Sequence, residues 1–230
     1  AAVGIVQILV AVATALIVYA IGRRYVSARA GLIAACVATL NPYLIWHDVH
    51  LNREILDQLA AAAIVYLTLW VAERVRGRPL VPAALLGLAL GIGILGNTRL
   101  VFWPILAVGF VLWHRRRAWA TAAAVIGVTI VTVLPWMIRN QVSVGCFTLG
   151  TDARALWKAN NPNTYATLAA GKWIDDVPRL PGSPWTPEEA ATLYFRDHKL
   201  VHVDECAQMR SYDHLVYRFV LDHPGEKAAL

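Results

Sequence analysis

At 230 residues, 58% of them hydrophobic and only 16% charged, with a mean hydropathy of +0.51, the chain lies outside the range of soluble globular domains. Its formal charge of +6 comes from short clusters set between apolar runs, a pattern that orients a membrane protein and excludes nucleic acid as the expected partner. Three cysteines, Cys36, Cys146 and Cys206, are too few and too scattered for a disulfide framework or a zinc knuckle.

The apolar excess is uneven. Residues 1–136 carry long apolar blocks, whereas 137–230 read as an ordinary soluble segment. A helix needs about 20 residues to cross the hydrocarbon core. On that measure six spans are predicted, at about 1–21, 30–46, 55–73, 80–96, 99–113 and 118–136. The opening "AAVGIVQILVAVATALIVYAIG" has neither a Met nor a basic leader, and "HPGEKAAL" stops abruptly. Neither end reads as natural, so the chain is expected to be a fragment of a longer membrane protein. The expected fold is an all-α membrane domain over 1–136, followed by a mixed loop and helix segment over 137–230, cut short at its C-terminus.

Arginines cluster after the first, third and fifth spans: Arg23, Arg24 and Arg29; Arg74, Arg76 and Arg78; Arg115, Arg116 and Arg117. Every second loop is therefore basic, and these loops are expected in the cytoplasm. The alternate loops, "HDVHLNRE", "NTR" and everything after "LPWMIRN", fall on the other side. The segment 137–230 has ten basic and eleven acidic residues, near-neutral as suits a translocated domain. Trp46, Trp70, Trp113, Trp119 and Trp136 lie near predicted span ends, where indoles anchor at the headgroup layer. Gly87, Gly91 and Gly93 allow close helix packing. Cys36 is expected as a packing residue, while Cys146 and Cys206 can pair if their segment faces an oxidising compartment.

In the hydrophilic segment, Thr186 and Glu189 with Pro187 form a capping box that starts a helix. A second helix is predicted over about 203–222. There Met209, Tyr212, Val216, Phe219 and Val220 recur at helical spacing, and Pro224 with Gly225 ends the run. Its stripe is expected to pack on the rest of the domain, with a membrane-surface position as the alternative.

Polar groups near a membrane are costly and mark either function or water. The stretch "IWHDVHLNREILDQL" gathers His47, Asp48, His50, Arg53, Glu54 and Asp57. Glu54 and Asp57 share a helix face at the mouth of the third span. Glu54, with Asp48 second, is the candidate for handling a proton; helix capping by acids in the first turn remains open beside it. His47 and His50 lack a recognised metal-site context. Arg99 at a hairpin tip can snorkel or grip a phosphate. Arg139 with Asn140 stands just past the sixth span, where it can meet an anionic headgroup. Asn160 and Asn161 before Pro162 can form a turn or bind a polar ligand such as a sugar.

The runs "YAIGRRYVSARAGLIAACVATLNPYLIWHDVHLNREIL", "GLALGIGILGNTRLVFWP" and "LPWMIRNQVSVGCFTLGTDARALWKANNP" resemble the GT-C membrane glycosyltransferases. The branch most similar is that of protein mannosyltransferases, aminoarabinose transferases and Rhizobium-type lipopolysaccharide transferases. The resemblance implies an integral enzyme of the bacterial inner membrane. It would take sugar from a polyprenyl-phosphate donor and pass it to a lipid, glycan or protein acceptor on the outer face. It also implies that a principal acid lies in an external loop before the first span of this chain, which makes the fragment itself expected to be inactive. Glu54 matches the family's acid opening the span after the second external loop, although Arg53 stands where Ser or Thr is common. Arg99 matches its "TR" before an aromatic-Pro pair, Arg139 and Asn140 its "PW..RN", and Asn161 with Pro162 its "NNP". Arg99 and Arg139 are thereby implied at the donor phosphate, and Asn140, Asn160 and Asn161 at substrate. No cofactor is fixed by these residues; a divalent metal held by a carboxylate is left open. The competing classes are a transporter or flippase, which predicts charges deep in the spans, and a scaffold presenting residues 137–230.

Overall fold

A computed structural model describes residues 2–49, 53–74, 80–150, 153–177 and 205–225. Every described element is helical, and the chain gathers into two compact units, Ala1–Trp136 and Met137–Leu230. The first holds α1 (Ala2–Tyr25), α2 (Ala28–Leu40), α3 (Pro42–Val49), α4 (Glu54–Arg74), α5 (Leu80–Gly96), a 3-10 turn (Thr98–Phe102) leading into α6 (Trp103–His114), and most of α7 (Trp119–Val144). Three helices are long and apolar enough to cross a membrane: Val3–Tyr25, Glu54–Arg74 and Trp119–Val144. At 1.5 Å per residue the shortest of them spans about 30 Å, the thickness of the hydrocarbon core. Shorter apolar helices, Ala28–Leu40, Leu80–Gly96 and Thr98–His114, fall on the other three predicted spans.

Two spans differ from the sequence reading for identifiable reasons. The predicted 30–46 run is broken at Asn41, which is extended at φ −68°, ψ 119°. A residue before proline is pushed out of the helical region, so Pro42 ends α2 and starts α3. The Asn41 side chain accepts a hydrogen bond from the Leu44 amide at 3.3 Å, turning a break into a cap. Conversely, the predicted end at Pro135–Trp136 is no end. Pro135 lies inside α7, which continues to Val144, so Arg139 and Asn140 sit on its last turns. Proline removes one backbone donor but leaves the helix on either side able to bond.

Small residues set the packing. A Cβ on Gly22 would lie 2.5 Å from Gly31 Cα, so α1 and α2 touch backbone to backbone. A Cβ on Gly87 would lie 2.6 Å from the Val125 carbonyl oxygen, and one on Gly91 2.5 Å from Thr132 Cβ. Thr129 uses the same approach, its hydroxyl donating to Gly87 O at 3.1 Å and to Val125 O of its own helix at 2.8 Å. Around this contact Ile64, Val71, Leu86, Leu90, Val111 and Val125 are buried. Val3, Ile8, Leu9 and Leu16 of α1 instead stand more than half exposed, as a lipid-facing surface requires.

These contacts also fix helix directions. The ends of α1 and α4 meet through the Arg24–Glu73 ion pair, so the two helices run the same way and α2 with α3 returns the chain between them. Gly87 meets Val125 and Gly91 meets the later Thr132, so α5 and α7 run the same way and α6 returns between them. One end of the unit therefore carries Arg23, Arg24, Arg74 and Arg115–Arg117, and the other carries Glu54, Asp57 and Arg99.

In the second unit, α8 (Ala153–Lys158), α9 (Pro162–Ala169), a 3-10 turn (Ile174–Asp176) and α10 (Glu205–Asp222) follow the end of α7. Tyr212 of α10 buries its ring against Trp157 of α8, with centroids 5.3 Å apart, and Met209 and Val216 flank them. The predicted apolar stripe thus packs on the domain. The predicted capping box at Thr186–Glu189 lies outside the described residues. Replacing Gly87 with Ala should lower the thermal midpoint in detergent, by about 1–3 kcal/mol of overpacking. Gly127→Ala, whose Cβ meets nothing within 4 Å, should leave it unchanged or raise it.

Candidate functional site

The acidic mouth forms where α4 begins. The Arg53 carbonyl accepts hydrogen bonds from the amides of Leu56 at 2.9 Å and Asp57 at 3.2 Å, so the helix starts at Glu54 even without the usual Ser or Thr before it. Glu54 and Asp57 occupy its first turn, where the exposed N–H groups favour negative charge. One carboxylate oxygen of Glu54, Oε2, is buried with no hydrogen-bond partner among the described residues. A desolvated oxygen without a donor is destabilising, so this oxygen has capacity to accept a hydrogen bond from a further group or water.

Asp57 is spoken for. Its Oδ2 accepts from Asn97 Nδ2 at 2.7 Å, across forty positions of sequence. Asn97 in turn caps the 3-10 turn, its Oδ1 accepting from the Arg99 amide at 3.1 Å and its carbonyl from the Leu100 amide at 3.0 Å. Arg99 therefore begins a turn tied to the first turn of the Glu54 helix. Its side chain is exposed, and among the described residues its guanidinium makes no hydrogen bond or ion pair. The sequence places Asp57 beside Glu54 in the acidic cluster, without a role of its own, and does not single out Asn97. For Asn97 the signal is the dipeptide "NT" ahead of Arg99.

Asp48 lies on α3, with its side chain outside the described residues, as is all of His50. Of the remaining candidates, all in the second unit, Arg139 is exposed on α7 and Asn140 is buried beside it. Asn140 accepts from Arg139 Nη1 at 3.1 Å and donates to the Thr148 carbonyl at 2.8 Å. It thereby links the guanidinium to the loop that leaves α7. Asn160 donates to Leu156 O at 2.7 Å. Asn161 donates to Trp157 O at 3.0 Å and accepts from the Asn163 amide at 2.9 Å, closing α8 and opening α9 at once. The turn expected at "NNP" is built, and the Nδ2 groups of both asparagines are engaged within it. Among the described residues no three His, Cys, Asp or Glu side chains gather as a metal site would need.

A family model described as dolichyl-phosphate-mannose-protein mannosyltransferase matches residues 1–138. The chain belongs to that family. It is a membrane glycosyltransferase chain of the GT-C type, and the match takes in Glu54, Asp57, Asn97 and Arg99. No curated protein and no solved structure matches it.

The second unit also carries a disulfide, Cys146–Cys206, which joins the loop after α7 to the start of α10 with the two Cα atoms 5.9 Å apart. Cys36 is free and exposed on α2, so the packing role expected of it is not met among the described residues. Maleimide labelling of denatured protein should therefore modify one thiol per chain before reduction and three after it. Three without reduction would show the bond absent.

Proposed function

We propose that the family's chemistry is carried out here by moving a sugar from a polyprenyl-phosphate donor to a lipid, glycan or protein hydroxyl on the extracytoplasmic face of a bacterial inner membrane. The observation that carries this reading is the family match across the helices that bear Glu54 and Arg99. The acceptor oxygen attacks the anomeric carbon as the bond from that carbon to the phosphate oxygen breaks. The electron pair leaves with the lipid phosphate, and the acceptor proton passes to a carboxylate. Glu54, whose Oε2 has no partner among the described residues, is suited to take that proton or orient the hydroxyl, with Asp48 as second carboxylate. Arg99 is suited to the departing phosphate because a planar guanidinium bonds two phosphate oxygens at once, and Arg139 is a second candidate.

Three features support the outward assignment. The Arg-rich helix ends lie opposite the end that carries Glu54 and Arg99, as positive-inside placement demands. Residues 137–230 are nearly neutral, and the Cys146–Cys206 bond suits an oxidising compartment. A transporter would place ionisable groups midway along its helices. In α1 and α4 the charged residues instead fall within the terminal turns, α5 and α6 contain no Asp, Glu, Lys or Arg, and Arg139 stands on the second-last turn of α7.

In the full-length protein, Glu54→Gln should cut sugar transfer in proteoliposomes by about 10²-fold or more, the scale of a lost general base. Arg99→Ala should lower turnover to a similar extent, because it removes charge from the leaving group. Both variants should still insert in the membrane. Transfer at the wild-type rate in both would overturn the assignment.

A further inference from the structure

We infer that Asp57 and Asn97 form a positioning pair that holds the Arg99 turn at the mouth of the Glu54 helix; this rests on the transferase reading of that mouth. The geometry leaves little freedom. A carboxylate only accepts and a backbone N–H only donates, so the Asn97 amide has a single orientation that serves both partners. Nδ2 faces Asp57 at 2.7 Å and Oδ1 faces the Arg99 amide at 3.1 Å. The same residue is anchored behind by its own amide, which donates to Gly93 O at 2.8 Å. Gly93 is where the turn closes on α4. A Cβ there would meet Leu100 Cδ1 at 3.2 Å, Ile64 Cδ1 at 3.4 Å and Ala60 Cβ at 3.8 Å. Apolar packing thus brings the α5 end to α4, and the Asp57–Asn97 bond sets its register.

The consequence is that Asn97 acts through Arg99. Asp57 sits one helical turn beyond Glu54, and Arg99 two residues beyond Asn97. A single side chain therefore couples the helix bearing the proposed proton acceptor to the turn bearing the proposed phosphate ligand. An asparagine suits the task and an aspartate does not, because a second carboxylate at 97 would face Asp57 with no donor between them.

The test is a swap in the full-length protein, assayed for sugar transfer from a polyprenyl-phosphate donor, with the detergent thermal midpoint as the folding check. Asn97→Asp should reduce turnover at least tenfold. Adding Asp57→Asn should restore most of it. The amide introduced at position 57 can then donate to the carboxylate introduced at position 97, which still accepts from the Arg99 amide. Asn97→Asp combined with Arg99→Ala should be no worse than Arg99→Ala alone, because a residue acting through Arg99 has nothing left to position. A purely structural residue would instead lower the combined variant further. If Asn97→Asp does not fold, Asn97→Ser keeps a cap for the Arg99 amide, is too short to reach Asp57, and should show the same tenfold loss. Wild-type turnover in folded Asn97→Asp or Asn97→Ser, or no recovery in the folded swap, overturns the pair. Absence of transfer by the wild-type protein fails the transferase reading itself and the positioning role with it.

Discussion

A chain crossing hydrocarbon has no water to bond its backbone, so each crossing must be a helix that satisfies itself along its length. That constraint decides where chemistry can reside. The middle of a helix has no free backbone group and tolerates little polarity, while its two ends expose up to four amides or four carbonyls. Glu54, Asp57, Asn97 and Arg99 all lie at such ends, on one side of the first unit, and the arginine clusters lie at the opposite ends. The separation of Glu54, Asp57, Asn97 and Arg99 from the arginine clusters follows from helix direction alone, which the glycine contacts and the Arg24–Glu73 pair establish.

Within the apolar layer, polarity is admitted only where it is consumed locally. Thr68, buried on α4, returns its hydroxyl hydrogen to Ile64 O at 2.7 Å. Thr129 shares its hydroxyl between its own helix and Gly87. The second case depends on the missing Cβ at position 87, because a methyl group there would push Val125 O away. Glycine, chosen for closeness, thereby also creates an interhelical hydrogen bond. In the same way Gly93 admits Leu100 against α4 and so lets Asn97 reach Asp57.

Much of this organisation was legible in the residues. The run lengths located the apolar helices, and the Arg periodicity anticipated which helix ends share a side. The stripe from Met209 to Phe219 announced a helix that packs through Tyr212. What escaped was decided by single residues or by distance. The break at Asn41 rests on one proline in an otherwise continuous apolar run, and hydropathy averages it away. The persistence of α7 past Pro135 rests on neighbouring turns that no local rule weighs. The Asp57–Asn97 bond joins residues forty positions apart, so neither residue advertises the other. In the sequence Asp57 belongs to an acidic cluster open to both chemistry and helix capping, and Asn97 to a short loop; only their contact makes them a pair.

Asparagine recurs at these joints for a reason that periodicity cannot convey. Its amide carries a donor and an acceptor on one rigid plane, so it can close one helix and open the next, or bridge a helix to a loop. Asn161 does the first between α8 and α9, and Asn140 does the second between α7 and Thr148. Asn97 combines both, capping a turn while bonding a carboxylate on another helix. An asparagine outside an apolar run invites a ligand-binding reading, but helix ends compete for the same amide. At Asn161 both of its functions are already committed, so a sugar would have to displace a cap to bond it. At Asn140 the committed partner is Arg139 itself, so a phosphate bound by that guanidinium would feel Asn140 through its hold on the arginine.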